Sequence, residues 1–314
     1  MLERSEKENC NQTVAGNLGV CICTRNRPDE LERCLLSVLA CGKEVNEIIV
    51  SDDSTDTRTA EMIRLKFPVA KYVTGPKKGL GANRNCAIDS ASSMYLIFLD
   101  DDSEIDPGFV AAVDELVAKD KLNLQNTMVT GNQIEDGVSI KPHDQSFLGF
   151  QNVFYQPGEE LNTVNIMATV FPRSMLSKVR FDDLLVYGYD EVDVCARCRH
   201  YGAVVKYCDK ANVYHYPSVV NRDYYSPYTE SSRIYVTFKR YYMVDNKRLK
   251  SWIFLFIAMA HLLLSRIKHE GFCGIKKSFL IGVKALGYIR ENAKSSQCYR
   301  EYKSFFKNLL RRLI

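Results

Sequence analysis

Three consecutive carboxylates, Asp100-Asp101-Asp102, end the apolar run Met94-Tyr95-Leu96-Ile97-Phe98-Leu99. Adjacent carboxylates repel one another unless a cation or basic groups neutralise them. Side chains alternate along an extended chain, so Asp100 and Asp102 can face one side. Oxygen ligands of this kind suit Mg²⁺ or Mn²⁺, which also take diphosphate oxygens. The plainer alternative is a solvated loop in which Glu104 and Asp106-Pro107 begin a helix. A second acidic pair, Asp52-Asp53, follows Glu47-Ile48-Ile49-Val50. A carboxylate there can accept from the ring N–H of a uracil or thymine, or can serve a turn and helix cap. Thr24, Arg25 and Arg27 follow a third apolar run, Leu18–Cys23, and Arg84 opens a helix after Gly79-Leu80-Gly81, within reach of a base or phosphate.

The elements that must hold these residues are legible as alternating strands and helices. Leu18–Cys23, Glu47–Val50, Lys71–Val73 and Met94–Leu99 read as strands, the first and last as buried parallel ones. Between them run helices, the first capped by Asp29 and striped by Leu31, Cys34, Leu35, Val38 and Leu39, the others over about 56–67 and 82–91. Such alternation implies right-handed βαβ units and a parallel sheet. Ligands bind such sheets beyond the carboxyl ends of the strands, where Thr24–Arg27, Asp52–Ser54 and Asp100–Asp102 converge. Further strands are expected near Met128–Gln133, Asn165–Phe171 and Val204–Tyr207, with a helix over about Glu191–His200.

Composition bounds the rest. The chain has 314 residues, 46% hydrophobic and 25% charged, an ordinary globular balance. From Lys247 onward 15 basic residues face 3 acidic ones, a net of +12, while the first 246 residues carry −8. A basic tail on an acidic body suits anionic lipid headgroups; no groove-reading motif supports nucleic acid. The apolar run Trp252–Leu264 is only 13 residues long, short of the ~20 a membrane span requires, and reads as a packed or interfacial helix. Residues 1–17 read as a disordered lead-in without a signal peptide, so the 11 cysteines are expected in a reducing cytoplasm and the Asn11-Gln12-Thr13 sequon is idle. Cys195-Ala196-Arg197-Cys198 lacks a second metal half-site and reads as two buried thiols.

Order and spacing of four motifs resemble the inverting family 2 glycosyltransferases: Gly19–Pro28, Ile48–Asp56, Gly79–Asn85 and Phe98–Asp102. The resemblance covers about Leu18–Tyr216. It implies an α/β fold of the GT-A type, a Rossmann-like, mostly parallel sheet flanked by helices, with a helical, basic C-terminal extension. The expected organisation is a glycosyltransferase domain over 18–220 and a C-terminal region over 221–314. The resemblance further implies that Asp53, with Asp52, recognises the base, that Arg84 supports base or phosphate, and that Thr24, Arg25, Arg27, Asp100 and Asp101 complete the donor site. Asp100 and Asp102 match the family's DxD, with Asp102 the direct ligand of Mn²⁺ or Mg²⁺. His215 resembles a histidine that contacts metal or diphosphate, and Asn165–Arg173 a segment flanking the acceptor pocket. Gly188-Tyr189-Asp190-Glu191-Val192-Asp193 resembles the stretch holding the catalytic base. The family's order there is Glu then Asp. Here it is reversed, which leaves Glu191, Asp190 and Asp193 as candidates.

The implied reaction moves a sugar from a nucleotide-diphosphate donor (UDP, dTDP or GDP) to a hydroxyl of a glycan, lipid-linked or small acceptor. Two other classes compete. A sugar-phosphate nucleotidyltransferase would open on a Gly-rich phosphate loop, and Thr24-Arg25-Asn26-Arg27-Pro28 contains no glycine. A non-catalytic sugar-nucleotide-binding scaffold would tolerate the reversed Asp190-Glu191 order.

Overall fold

The computed structural model describes residues 13–217 and 222–295. The chain divides into two compact units at residues 222–223, and the second unit also takes in Phe147–Phe150. The expected boundary at 220–221 lies outside the described residues, and that expectation did not include Phe147–Phe150.

The first unit is built on one large mixed sheet. In chain order its strands are β1 (Leu18–Thr24), β2 (Val45–Asp52), β3 (Lys71–Thr74), β4 (Tyr95–Asp100), β5 (Ser103–Ile105), β6 (Thr127–Glu135) and β7 (Val138–Ile140). The short pair β8 (Asp144–Gln145) and β9 (Gln151–Val153) stands apart, and β10 (Thr169–Pro172) and β11 (Val204–His215) complete the sheet. Its order is β3-β2-β1-β4-β10-β6-β11-β5, with β7 on β6. The β3-β2-β1-β4 half is wholly parallel, as the alternating pattern requires. Antiparallel β10 joins it to β6, which pairs with β11 in parallel.

Period-two alternation explains the layers. Leu18, Val20 and Ile22 of β1 point into a cluster with Leu31, Leu35 and Val38 of α1 (Pro28–Ala40), Ile63 of α2 (Arg58–Lys66) and Phe109 and Val113 of α4 (Phe109–Asp120). Cys21, Ile49, Leu96 and Phe98 point the other way. They meet Ala87 and Ile88 of α3 (Leu80–Ser90), Leu176 of α5 (Arg173–Leu176) and Val194, Cys195 and Cys198 of α6 (Asp190–His200). The Cys195 and Cys198 thiols are therefore core-packing groups, and burial pushes the Cys198 thiol up to about 12. Among the described residues no three His, Cys, Asp or Glu side chains form a metal cage.

Several expectations need correction. Residues 1–12 of the expected lead-in lie outside the described residues, but 13–17 are ordered on the core. Asp114 of α4 accepts from the Thr13 hydroxyl (2.5 Å) and the Val14 N–H (2.7 Å), and Val14 is fully buried. Asp29 does not cap α1: Arg27 is the N-cap, Pro28 opens the first turn, and Asp29 acts there as a first-turn acid. Residues 103–105 form strand β5 rather than a helix start, because they pair with the end of β11.

The second unit is helical: α7 (Arg222–Lys239), a π-helical turn over Arg240–Val244, α8 (Arg248–Glu270) and α9 (Phe272–Ser295). The tyrosine-rich stretch from Asp223 to Tyr242 packs inward at Tyr235, Tyr241 and Tyr242, all buried. The apolar run Trp252–Leu264 sits inside a 23-residue helix, long and apolar enough to cross a membrane by length and composition. The apolar run is thus the middle of a longer helix with polar ends. Phe254, Leu255, Ala258 and Leu262 bury one face of α8; Leu249, Ile253, Phe256, Leu264 and Ile267 are exposed on another. Of the basic tail, residues 296–314 lie outside the described residues.

Candidate active site

The parallel strands end level with one another. Thr24 pairs with Asp52 and Cys23 with Asp100 across β2-β1-β4, so the loops beyond them share one edge. The first two loops are tied together: Asn26 N–H donates to Ser54 Oγ (2.7 Å) and Asn26 Oδ1 accepts from Thr55 N–H (2.8 Å). Asn26 adopts φ 59°, a left-handed conformation that asparagine tolerates, and this turns the loop back.

Each carboxylate of the Asp100–Asp102 run has a different partner. Asp100 Oδ1 accepts from Arg84 Nη2 at 2.9 Å. Asp101 accepts from the Thr24 hydroxyl at 2.8 Å and pairs with Arg27, yet burial still pushes its carboxyl up to about 6. Asp102 Oδ2 accepts from Arg27 Nη1 at 3.1 Å, and its Oδ1 faces His215 Nε2 at 3.5 Å. Burial opposes ionisation of Asp102, but His215 and Arg27 outweigh it and hold the carboxyl below its ordinary value. Asp102 thus meets His215, while Asp100 has one oxygen on Arg84.

His215 reaches Asp102 because β11 pairs antiparallel with β5, which sets His215 opposite Ser103, and because Tyr216 N–H donates to the Asp102 carbonyl (2.9 Å). Burial disfavours the charged imidazole, but hydrogen bonds to Asp102 and Glu135 raise its pKa to about 9. Glu135 Oε1 lies 2.6 Å from His215 Nδ1. Sequence reasoning missed Glu135, since Glu135-Asp136-Gly137 reads as a plain turn.

On β2, both carboxylate oxygens of Asp52 are engaged by protein. Its Oδ1 accepts from Ser54 N–H (2.8 Å) and its Oδ2 from the Tyr72 hydroxyl (3.0 Å). Asp53 gives one oxygen to Lys77 N–H (2.8 Å), and burial raises its pKa against the pull of Lys77 and Arg25. Arg25 is exposed at the edge.

Arg84 is the buried hinge between two acidic groups. It is only 1% exposed, donates to Asp100, pairs with Asp190 at the start of α6, and lies over the Phe181 ring at 5.5 Å. Two glycines allow α3 to enter there. Gly79 sits at φ 116°, and a Cβ on Gly81 would lie 2.4 Å from the Asp182 carbonyl oxygen, so only glycine lets α3 touch the 182–186 segment that leads to α6.

At that N-terminus the three candidate bases separate by partner. Asp190 is buried against Arg84, and Asp193 pairs with Arg197 one turn along α6 (Nε to Oδ2, 2.9 Å). Glu191 makes no ion pair among the described residues. Burial raises its carboxyl pKa, with the nearby Arg84 charge and a hydrogen bond from Gln151 of β9 acting against that rise. The Asn165–Arg173 segment is mostly buried; Asn165 Nδ2 donates to the carbonyls of Gly131 (3.1 Å) and Ile140 (2.8 Å).

Comparison with known proteins bears on the family and the fold. The family description Glycosyl transferase family 2 matches residues 19–179. A Campylobacter jejuni GalNAc(5)-diNAcBac-PP-undecaprenol beta-1,3-glucosyltransferase is 25% identical over 186 residues, 53% of this chain and 55% of its own length. The chain thus spans little more than half of that relative. Two solved structures share the fold at low identity. GalNAc-T7 with UDP, GalNAc and Mn²⁺ has a TM-score of 0.60 at 14% identity, over 81% of this chain and 58% of its own. Staphylococcus aureus TarS 1–349 in complex with UDP-GlcNAc has a TM-score of 0.58 at 15% identity, over 87% and 80%. Both are GT-A glycosyltransferases.

Proposed function

The chain belongs to glycosyl transferase family 2, and from that premise we propose that it moves a sugar from a nucleotide-diphosphate donor to an acceptor hydroxyl with inversion at the anomeric carbon. The observation that carries the reading is the partner pattern along one sheet edge: Asp100, Asp101, Asp102, Asp190 and Asp193 each have an arginine, and Glu191 has none.

In this reading Asp53 receives the base, since its second oxygen remains for a ligand while Asp52 is spent on Ser54 and Tyr72. Thr24, Asp101 and Arg27 hold the shape of the donor floor, and exposed Arg25 meets phosphate. Arg84 acts from beneath, fixing Asp100 and Asp190. Glu191 takes the proton from the acceptor hydroxyl; desolvation raises its pKa and so makes it a stronger base. No covalent enzyme intermediate is required.

Asp102 and His215 fit a divalent cation. A carboxylate oxygen and an imidazole nitrogen face each other at 3.5 Å, and two protein ligands suffice when diphosphate oxygens and water complete the shell. Bound Mn²⁺ or Mg²⁺ would supply charge stabilisation for the departing diphosphate. The acceptor is proposed to be lipid-linked, by analogy with the undecaprenol-linked substrate in the relative's name. Action at the anionic cytoplasmic face of the membrane is supported by the exposed apolar stripe of α8, flanked by Lys247, Arg248 and Lys250 at one end and Arg266 and Lys268 at the other.

A thermal-shift panel of nucleotide-diphosphate sugars with and without Mn²⁺ tests the donor reading. One donor is expected to stabilise the protein, more so with the cation; a flat response across UDP, dTDP and GDP sugars would refute it. Sedimentation with anionic and neutral liposomes tests the membrane reading. Binding to anionic vesicles that weakens with salt is expected, and equal absence from both pellets would refute it.

A further inference from the structure

Parallel pairing of β6 and β11 sets Ile134 beside Tyr214, which brings the next residues, Glu135 and His215, level. Glu135 Oε1 lies 2.6 Å from His215 Nδ1, and Gln133 Nε2 donates to the same oxygen at 2.5 Å. Gln133 and Glu135 are two apart on one strand and share its face. The strand end is itself held: Glu135 pairs with Val138 across the Asp136-Gly137 turn, whose residues sit at φ 48° and 76°. Gln133 Nε2 also lies 3.0 Å from Nδ1, but its nearer contact is the Glu135 oxygen to which it donates. A carboxylate 2.6 Å from Nδ1 places the ring proton there. In the neutral ring this leaves the Nε2 lone pair as the only free donor to a cation, and Nε2 faces Asp102.

We propose that Glu135 is a positioning residue, which fixes the orientation and tautomer of His215 so that Nε2 and Asp102 Oδ1 together present a divalent-cation site. The inference rests on the metal reading above and adds to it a residue that no sequence motif marks. A carboxylate behind a metal-binding histidine does two things: it holds the ring and raises its basicity. Glu135 is placed for both. Its Oε1 lies 2.6 Å from Nδ1, and its side chain is 30% exposed.

The test is Mn²⁺ binding in the presence of UDP, followed by the electron paramagnetic resonance of free Mn²⁺, in wild type, Glu135→Ala, Glu135→Gln, His215→Ala and the Glu135→Ala/His215→Ala pair. Removing such a partner typically costs about 10–100-fold in metal affinity. Glu135→Ala is expected to weaken Mn²⁺ by that range, and Glu135→Gln, which keeps an acceptor oxygen, by less. On the His215→Ala background, Glu135→Ala is expected to add nothing. Circular dichroism of each variant separates lost affinity from lost fold. Unchanged affinity in Glu135→Ala, or the same loss whether or not His215 is present, overturns the role of Glu135 alone. Absence of Mn²⁺ binding by wild type overturns the metal reading itself and, with it, this inference.

Discussion

Two acidic clusters frame the site, and they are built differently. At the end of β4, all three of Asp100, Asp101 and Asp102 are neutralised by arginines or faced by His215. At the start of α6, Asp190 and Asp193 have arginines and the residue between them does not. The first cluster is a floor, fixed in charge and place. The second has one member without an ion pair among the described residues, Glu191, whose pKa burial raises against the nearby Arg84 charge. Arg84 belongs to both clusters, since it pairs with Asp100 in the first and Asp190 in the second.

That contrast can be broken at several points. The largest effect is expected for Glu191→Gln, which should lower kcat by roughly 10²–10⁴-fold with donor affinity nearly unchanged. An equal loss in Asp193→Asn would move the base and dissolve the distinction within α6. Next comes Arg84→Met, which leaves Asp100 and Asp190 without their shared cation. Breaking a buried ion pair from one side costs about 3–5 kcal/mol, read as a lower urea midpoint at constant slope. A midpoint unchanged from wild type would mean that Arg84 does not join the two clusters energetically. The smallest effect is expected for Asp193→Asn, which removes an i,i+4 pair at a helix start: a stability loss of about 1 kcal/mol, with turnover within about twofold of wild type.

The floor was more legible in the sequence than the base. Strands β1, β2 and β4 are uninterrupted apolar runs, so their ends, and the convergence of Thr24, Asp52 and Asp100, follow from local pattern alone. What the pattern does not carry is pairing between distant segments. The misread start of β5 and the meeting of His215 with Asp102 both depend on β11 closing against β5. Glu135 acquires a role only through the β6–β11 register. Asp190, Glu191 and Asp193 are equivalent as a string of helix-start acids, and only arginines from α3 and from one turn onward tell them apart. The full extent of helix α8 was not legible for a different reason. Its polar first and last turns hide its length, because helix extent is set by backbone hydrogen bonding and not by hydropathy.

The central claim is that Glu191 acts as a base poised by burial. The most direct measurement is the single-turnover rate of sugar transfer against pH, for wild type and Glu191→Gln. A base works only when deprotonated, and desolvation lifts the Glu191 pKa above the ordinary carboxylate value of about 4.3. The wild-type rate should therefore fall as pH drops through a midpoint above that value, and Glu191→Gln should be slow and lack this acidic limb. A limb that persists in Glu191→Gln, or a variant as fast as wild type, would contradict the account.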